Sequence, residues 1–482
     1  MKQGALFRCF LAAATFSASL AGCSTVERAR EAQRDLAPKG AEGAESLPAD
    51  ELDLKGQPLS RLVDFALENR PSVAAAALSV HDARLALREI ASDAPLVSDT
   101  PWSSPQLSLS GGYSESSPGA GMGGAGSWRT SGSPSAALSL SLLVWDFGRY
   151  NARAQAQSER ILSAELALAE AGYTVFEEVS RASFTFCEQA ALLEVAHTNA
   201  FEYAQRVYQT ERRLEAGEAK NLDLLRAKLD LAQAEEGLVS ASNGLVTAGA
   251  QLMQALGIDA SRGGFQEIVG CPPDALTGAY RAFPESKMSA REAFELGRTN
   301  APAMRIARAR LRAASADVDY AVANLMPTVS VSANLSWTDP LWYWNWGVNA
   351  VQSVFQGFRK TTAVDRAVVA MEQAATEVDR AEQALSLSIE LAISDRDNAR
   401  EARRTAEDSL RQARENLDTV ASQYALGEAS RIDYTEAVAA YSRALGSRIS
   451  AFCRGQRAEA ALFALVGAYP TYDEKKLDGG LK

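Results

Sequence analysis

The chain has 482 residues, 23% of them charged and 7% aromatic, with a formal net charge of −11 at pH 7. That acidity argues against a nucleic-acid partner. Two histidines and five cysteines leave little material for metal or redox chemistry, and long stretches dominated by Ala, Glu, Gln, Arg and Leu suit long helices.

Residues 1–22 read as a lipoprotein signal peptide. Lys2 and Arg8 supply the positive start, and Phe10–Leu20 is an apolar run too short to span a bilayer. Leu20-Ala21-Gly22-Cys23 resembles a bacterial lipoprotein processing site. The resemblance implies cleavage before Cys23 and acylation of its thiol, the one covalent group expected; no other cofactor is. Ser24 follows where an Asp would retain the protein at the inner membrane, so the expected location is the outer membrane. The alternative is an ordinary secretory signal with an incidental cysteine. Residues 23–58 read as a polar, lipid-anchored tether. Cys187, Cys271 and Cys453 match no metal or disulfide framework and read as buried small residues, with a Cys187–Cys453 bridge left open.

The rest is written twice. Gly217-Glu218-Ala219 followed by Asp223 recurs 210 residues on as Gly427-Glu428-Ala429 followed by Asp433, and Arg149 recurs as Arg359 at the same shift. Asn69-Arg70-Pro71 recurs as Asn300-Ala301-Pro302 at a shift of 231. Repeat 1 spans 59–285 and repeat 2 spans 286–482 with its C-terminal tail, and such self-similarity is an architectural statement before it is anything else.

In each repeat the first helical pattern restarts at a proline, Pro71 or Pro302, and Ser289-Ala290-Arg291-Glu292 is a capping box. A two-residue period follows, at about 105–145 and about 328–355. Leu138, Leu140, Leu142 and Val144 alternate with serines; Val329, Val331, Ala333, Leu335 and Trp337 alternate with Ser330, Ser332, Asn334 and Ser336; Trp342, Trp344 and Trp346 alternate with Tyr343, Asn345 and Gly347. One apolar and one small polar face mark a membrane β-barrel strand. All seven tryptophans lie in or beside these hairpins, and Trp128, Trp145, Trp337, Trp342, Trp344 and Trp346 are the expected membrane-interface aromatics. Soluble hairpins packing tryptophan on a core are the alternative, which leaves the serine face unexplained.

Long helices come next, about 149–256 and about 359–466, each folding back at Gly217 or Gly427 into an antiparallel coiled-coil pair. Residues 257–285 form an equatorial connection. The helix from Pro71 supplies the length missing from the shorter return helix if the two stack end to end. Four strands per chain cannot close a barrel, and open edges do not survive in lipid. The chain must therefore assemble with copies of itself.

The doubled order of helix, hairpin, Asp-Phe-Gly-Arg-like turn, long helix and Leu/Tyr-x-x-Gly-x-x-x-x-x-Asp tip resembles the TolC-type outer membrane factor family, from about Ser60 to Tyr469. The resemblance implies a homotrimer with a 12-stranded transmembrane β-barrel and a periplasmic α-helical barrel. It implies the outer membrane channel of a tripartite efflux system, passive and not an enzyme. Its partners are a periplasmic adaptor and an inner-membrane pump, of the resistance-nodulation-division (RND) type in preference to an ATP-driven (ABC) exporter. It places a selectivity gate at Asp433 and Glu436, a hydrogen-bonded tip lock at Asp223 and Tyr424, and adaptor docking at Gly217, Ala219, Gly427, Ala429 and Ser430. Ala429 stands where the family has arginine, and Arg431 is the nearby substitute. The Pro/Trp segment usual after the acylated cysteine in the efflux branch is absent. A type I protein secretion duct and a pore-less lipid-anchored scaffold remain as other readings. At the tip, the competing role for Asp433 and Asp223 is helix capping.

Overall fold

The structure, a computed structural model, describes residues 59–96, 105–116, 131–217, 219–258, 283, 285–338 and 341–467. The expected signal, Cys23, the tether, Trp128, Cys271, most of the 257–285 connection and the tail after 467 lie outside those residues.

One order of elements occurs twice. Repeat 1 runs α1 (Leu59–Asn69), α2 (Pro71–Ser92), β1 (Gln106–Ser116), β2 (Ser131–Trp145), α3 (Arg149–Glu215) and α4 (Asn221–Leu256). Repeat 2 runs α5 (Ala290–Asn300), α6 (Pro302–Ala323), β3 (Thr328–Thr338), β4 (Leu341–Val351), α7 (Arg359–Leu426) and α8 (Arg431–Val466). β4 thus ends at Val351, and the residues up to Phe358 form a junction instead of more strand.

α3 and α7 are proline-free rods of 67 and 68 residues, each about 100 Å long at 1.5 Å per residue. α3 packs against α4 and α7 against α8. The pairs are joined by α8 on α3 and by α6 on both long rods. No helix among the described residues is long and apolar enough to cross a membrane.

The end-to-end stacking follows from two glycines. Gly257 and Gly467 terminate α4 and α8 in the left-handed conformation, φ +79° and +69°. A Cβ on Gly257 would stand 3.1 Å from the carbonyl oxygen of Asn69, and one on Gly467 2.9 Å from that of Asn300. Each return helix therefore abuts the Asn-x-Pro joint that opens the next short rod, and only glycine satisfies both the backbone angle and the space.

The core lies at this equator. Ala293, Ala301, Met304, Leu385, Ile389, Leu462 and Val466 form one buried cluster. A polar clamp beside it holds the segment before α5 across α7 and α8. Arg396 donates to the carbonyls of Ser286 and Met288, Glu459 accepts from the Ser286 amide, Gln456 accepts from the Phe283 amide, and Arg400 pairs with Glu459 at 2.8 Å. Buried main-chain groups outside a helix need such partners, since leaving one unpaired costs about 1–3 kcal/mol.

The four strands make one antiparallel sheet in the order β1-β2-β3-β4. Its register sorts the side chains without exception along the middle of the sheet. Leu109, Leu138, Leu335 and Trp344 are successive partners on one face, and Ser108, Ser139, Asn334 and Asn345 on the other. The apolar face is bare: Leu107 is 63% exposed, Trp344 75% and Trp346 68%. A soluble sheet buries that face; a barrel wall gives it to lipid. Strands of 11 residues, at about 3.3 Å each and tilted about 45°, match a band about 25 Å tall.

Candidate functional site

Left-handed residues and charged side chains gather at two places, the joint between sheet and rods and the far tips. At the joint, the chain turns through two consecutive left-handed residues in both repeats: Phe147 and Gly148 (φ +57° and +86°), then Gly357 and Phe358 (φ +59° and +62°). The glycine changes places with the phenylalanine, but the turn is conserved. A left-handed phenylalanine costs about 1–2 kcal/mol. In both repeats the ring stacks edge-on against an aromatic neighbour, Phe147 with Trp145 and Phe358 with Phe355. These rings sit where the sheet gives way to the rods.

The joint is then locked by charge. Buried Asp146 accepts from the amides of Gly148 (3.1 Å) and Tyr150 (2.6 Å), capping α3. Arg149 reaches across to the end of α6, donating to the carbonyls of Ala323 (3.0 Å), Asn324 and Met326. The Ala323 carbonyl also accepts from the Met326 amide and the Asn324 carbonyl from Lys360 (2.8 Å), and these cations match the negative end of the helix dipole. Arg359, its counterpart, is exposed.

Both tips carry the same turn. Gly217 and Gly427 are left-handed (φ +75° and +81°), and the amides of Ala219 and Ala429 return to the carbonyls of Arg213 and Gln423. Ser430 and Asp433 form a reciprocal cap, Ser430 N donating to Asp433 Oδ2 at 3.0 Å and Asp433 N donating to Ser430 Oγ at 3.2 Å. The Ser430 side-chain and main-chain hydrogen bonds hold the Asp433 carboxyl below the usual aspartate range, so it stays ionised. Asp433 and Glu436 are both exposed on the first turns of α8. Capping and a gating charge are thus compatible in one residue: the cap uses one carboxylate oxygen, and the charge remains.

The remaining expected residues meet, though by other bonds than their types foretell. Arg431 donates to the main-chain carbonyl of Asp223 at 3.1 Å, not to its carboxylate, which accepts from the Lys220 amide. Tyr424 accepts from Arg213 at 3.4 Å and stacks on Tyr434 at 5.2 Å. Arg206 lies 4.9 Å above both Tyr434 and Tyr203. Arg206, Arg213, Tyr203 and Tyr434 had no signal in the sequence, because none is repeated and none belongs to a turn motif. Together these side chains line a cavity of about 320 Å³ between the two hairpin tips. Ala219, Ala429 and Ser430 lie at the turns themselves. His81 and His197 are exposed, as their polar surroundings predict. Among the described residues no group of His, Cys, Asp and Glu could hold a metal.

Trp342, Trp344 and Trp346 line the bare apolar face of β4, with Trp337 opposite Trp342 and Trp145 at the end of β2. Trp128 is outside the described residues.

The comparisons with known proteins fit this geometry. The model of the family described as outer membrane efflux protein matches residues 62–258 and 295–468. No curated protein matches. Among solved structures, the chain is similar to CusC (TM-score 0.72, 19% identity, 89% of this chain and 96% of that one). It is also similar to the outer membrane channel CmeC of Campylobacter jejuni (0.71, 16%, 87% and 88%) and to the outer membrane protein VceC of Vibrio cholerae (0.67, 18%, 85% and 96%). At these identities the likeness concerns the fold, a helical barrel carrying a β domain. The family match covers most of the chain: this chain belongs to the outer membrane efflux protein family, whose members are channels and not enzymes.

Proposed function

We propose that the chain is the passive exit duct of a tripartite efflux system. Three copies close a 12-stranded barrel, and their rods continue it as a periplasmic tunnel. Small toxic compounds enter from an inner-membrane pump of the proton-driven RND type, through a periplasmic adaptor docked on the tip turns at Gly217, Ala219, Gly427, Ala429 and Ser430. Cys23 anchors each copy by lipid. Around a narrow axis, Asp433 and Glu436 become two stacked acidic rings that favour cations. Arg431 and Tyr424 hold the tips together in the resting state.

The observation that carries this reading is the way the internal repeat leaves a protomer incomplete. The repeat that carries Arg149 onto Arg359 maps β2 onto β4 by 210 residues; since Gln106 pairs with Ser141 and Thr328 with Val351, β1 then maps onto β3 by 222. The inner seam pairs Ser139 with Asn334 and Leu140 with Ala333. Carried through the repeat, that seam sets Asn349 opposite Gly112 of the next copy, and Ala350 opposite Gly111. Polar face meets polar face and apolar face meets apolar face. The helices support the same closure. Inside a protomer α3 is covered by α6 and α8; the repeat maps these onto α7, α2 and α4. Those helices carry most of the bare leucines of the rods: Leu78 and Leu85 on α2, Leu222, Leu225 and Leu229 on α4, Leu387 and Leu391 on α7. Exposed Arg359 then finds the carbonyl end of α2 in the neighbour, as Arg149 finds that of α6.

A cysteine pair tests this. Asn349→Cys with Gly112→Cys should give a covalent trimer on a non-reducing gel after oxidation in isolated outer membranes. Either single variant should give none. Monomer alone from the double variant sinks the closure. Hypersensitivity of a deletion strain to a panel of drugs, restored by the gene, supports efflux. Loss of a secreted protein with unchanged drug sensitivity would support type I secretion instead.

A further inference from the structure

Each repeat carries one buried cysteine on a long helix, Cys187 on α3 and Cys453 on α8, and nothing in the channel reading uses them. We infer that Cys187 of α3 and Cys453 of α8 form a disulfide in the mature protein. The inference rests on the periplasmic location of the rods.

The register of α3 on α8 is fixed by contacts along their whole shared length. Tyr173 Oη donates to the Gly467 carbonyl at 2.8 Å, Ser442 Oγ bonds Asn199 Oδ1 at 2.6 Å, and Arg206 lies over the Tyr434 ring. For an antiparallel pair, the residue numbers of partners add to a constant. Here 173 + 467 and 206 + 434 give 640, 199 + 442 gives 641 and 185 + 457 gives 642, and 187 + 453 falls within that narrow range at 640. The helix faces agree as well. Counting in sevens from Tyr173 and Gly467 gives Ser180 opposite Ala460, then Cys187 opposite Cys453. Ser180 is fully buried and Ala460 is 1% exposed. Such small residues let the two helices approach closely, which a disulfide requires. On the far side, Leu192 Cδ2 lies 3.4 Å from where a Cβ of Gly446 would stand, again a close approach. Arg457, one turn after Cys453 on the same face, donates to Thr185 Oγ1 (3.0 Å) and Glu188 Oε2 (2.8 Å), and so brackets Cys187 from both sides. The cysteines are 6% and 2% exposed.

The step balances as a thiol–disulfide exchange. The two thiols lose two protons and two electrons to a protein disulfide of the oxidoreductase class, which leaves as a dithiol while the Cys187–Cys453 bond forms. That class of oxidant maintains disulfides in the bacterial periplasm. Exchange precedes docking of α3 on α8, because docking buries both sulfurs. The product ties repeat 1 to repeat 2 between the equator and the tips. Tip movement is then confined to the segments beyond Cys187 on α3 and before Cys453 on α8.

The experiment uses the full chain, purified from outer membranes after alkylation of thiols at lysis. Trypsin releases Ala182–Arg206 and Ile449–Arg454. Mass spectrometry should find them as one linked species that separates on reduction. Reductant should also lower the thermal midpoint of the wild type by about 5 °C, and leave Cys187→Ser with Cys453→Ser unchanged. Both peptides recovered in alkylated form, or either one linked to the Cys271 peptide, would overturn the inference. Membrane fractionation and heat-dependent migration of the same sample report on the channel separately. Alkylated thiols in an outer-membrane trimer defeat the bridge alone, and a linked pair in a water-soluble protein defeats the channel alone.

Discussion

Four glycines share a backbone angle and differ in the space around them, which makes a graded experiment. Gly217 and Gly427 end α3 and α7 at the tips, and a Cβ at either would meet nothing within 4 Å. At Gly257 it would stand 3.1 Å, and at Gly467 2.9 Å, from a carbonyl oxygen. All four are left-handed, with φ between +69° and +81°. Substitution by alanine costs about 1–2 kcal/mol for that conformation at every site. The entropy that alanine removes from the unfolded chain is also common to all four, so it cancels. What differs is overlap. The obstacle at the last two sites is main chain at a helix joint, which cannot swing aside as a long side chain can, so overpacking adds about 1–3 kcal/mol. The expected order of destabilisation is Gly217→Ala equal to Gly427→Ala, then Gly257→Ala, then Gly467→Ala, at about 1, 1, 2 and 3 kcal/mol or more. Thermal loss of far-ultraviolet helicity in detergent measures it. Equal shifts at Gly427 and Gly467 would refute the claim that end-to-end contact between α8 and the α5–α6 joint demands glycine.

Other outcomes follow from the tip and the equator. Asp433→Asn with Glu436→Gln, which keeps the shapes and removes the charges, should lower the cation preference of the pore in a planar bilayer; unchanged ion selectivity would count against the acidic rings. Because the Asp433 carboxyl sits below its ordinary range, its folded-state charge and its cap persist above about pH 4. Both are lost only as pH falls through that lowered value, so this part of the selectivity should be flat from neutral pH down to about pH 4. Glu459→Ala removes the acceptor of Arg400 and of the Ser286 amide at a site 3% exposed. A loss of about 2 kcal/mol is expected, reduced from the fully buried case because Arg400 is one-third exposed. Glu407→Ala removes an i,i+4 partner of Arg403, which keeps its ion pair with Glu285, and should cost no more than about 0.5 kcal/mol.

Much of the fold was legible because its signals are local. A left-handed residue favours glycine, so the tips announced themselves at Gly217 and Gly427. A capping box needs only residues three apart, so Ser289–Glu292 and Ser430–Asp433 were visible as pairs. Period-two alternation of leucine with serine marks a strand whatever surrounds it, and duplication exposed the plan because each signal appears twice in one order. What the sequence by itself determined was therefore the element list, its repetition, and the polarity of each face. Tertiary structure alone decided which face meets which neighbour. Arg149 caps a helix that ends about 175 residues later, Arg431 bonds the main chain of Asp223 and not its carboxylate, Arg206 is sandwiched between rings from two helices, and Glu459 anchors a crossing segment more than 170 residues before it. Each depends on the axial register and rotation of rods about 100 Å long. Those are set by the sum of many small packing terms along the whole seam, so no short stretch of sequence carries them.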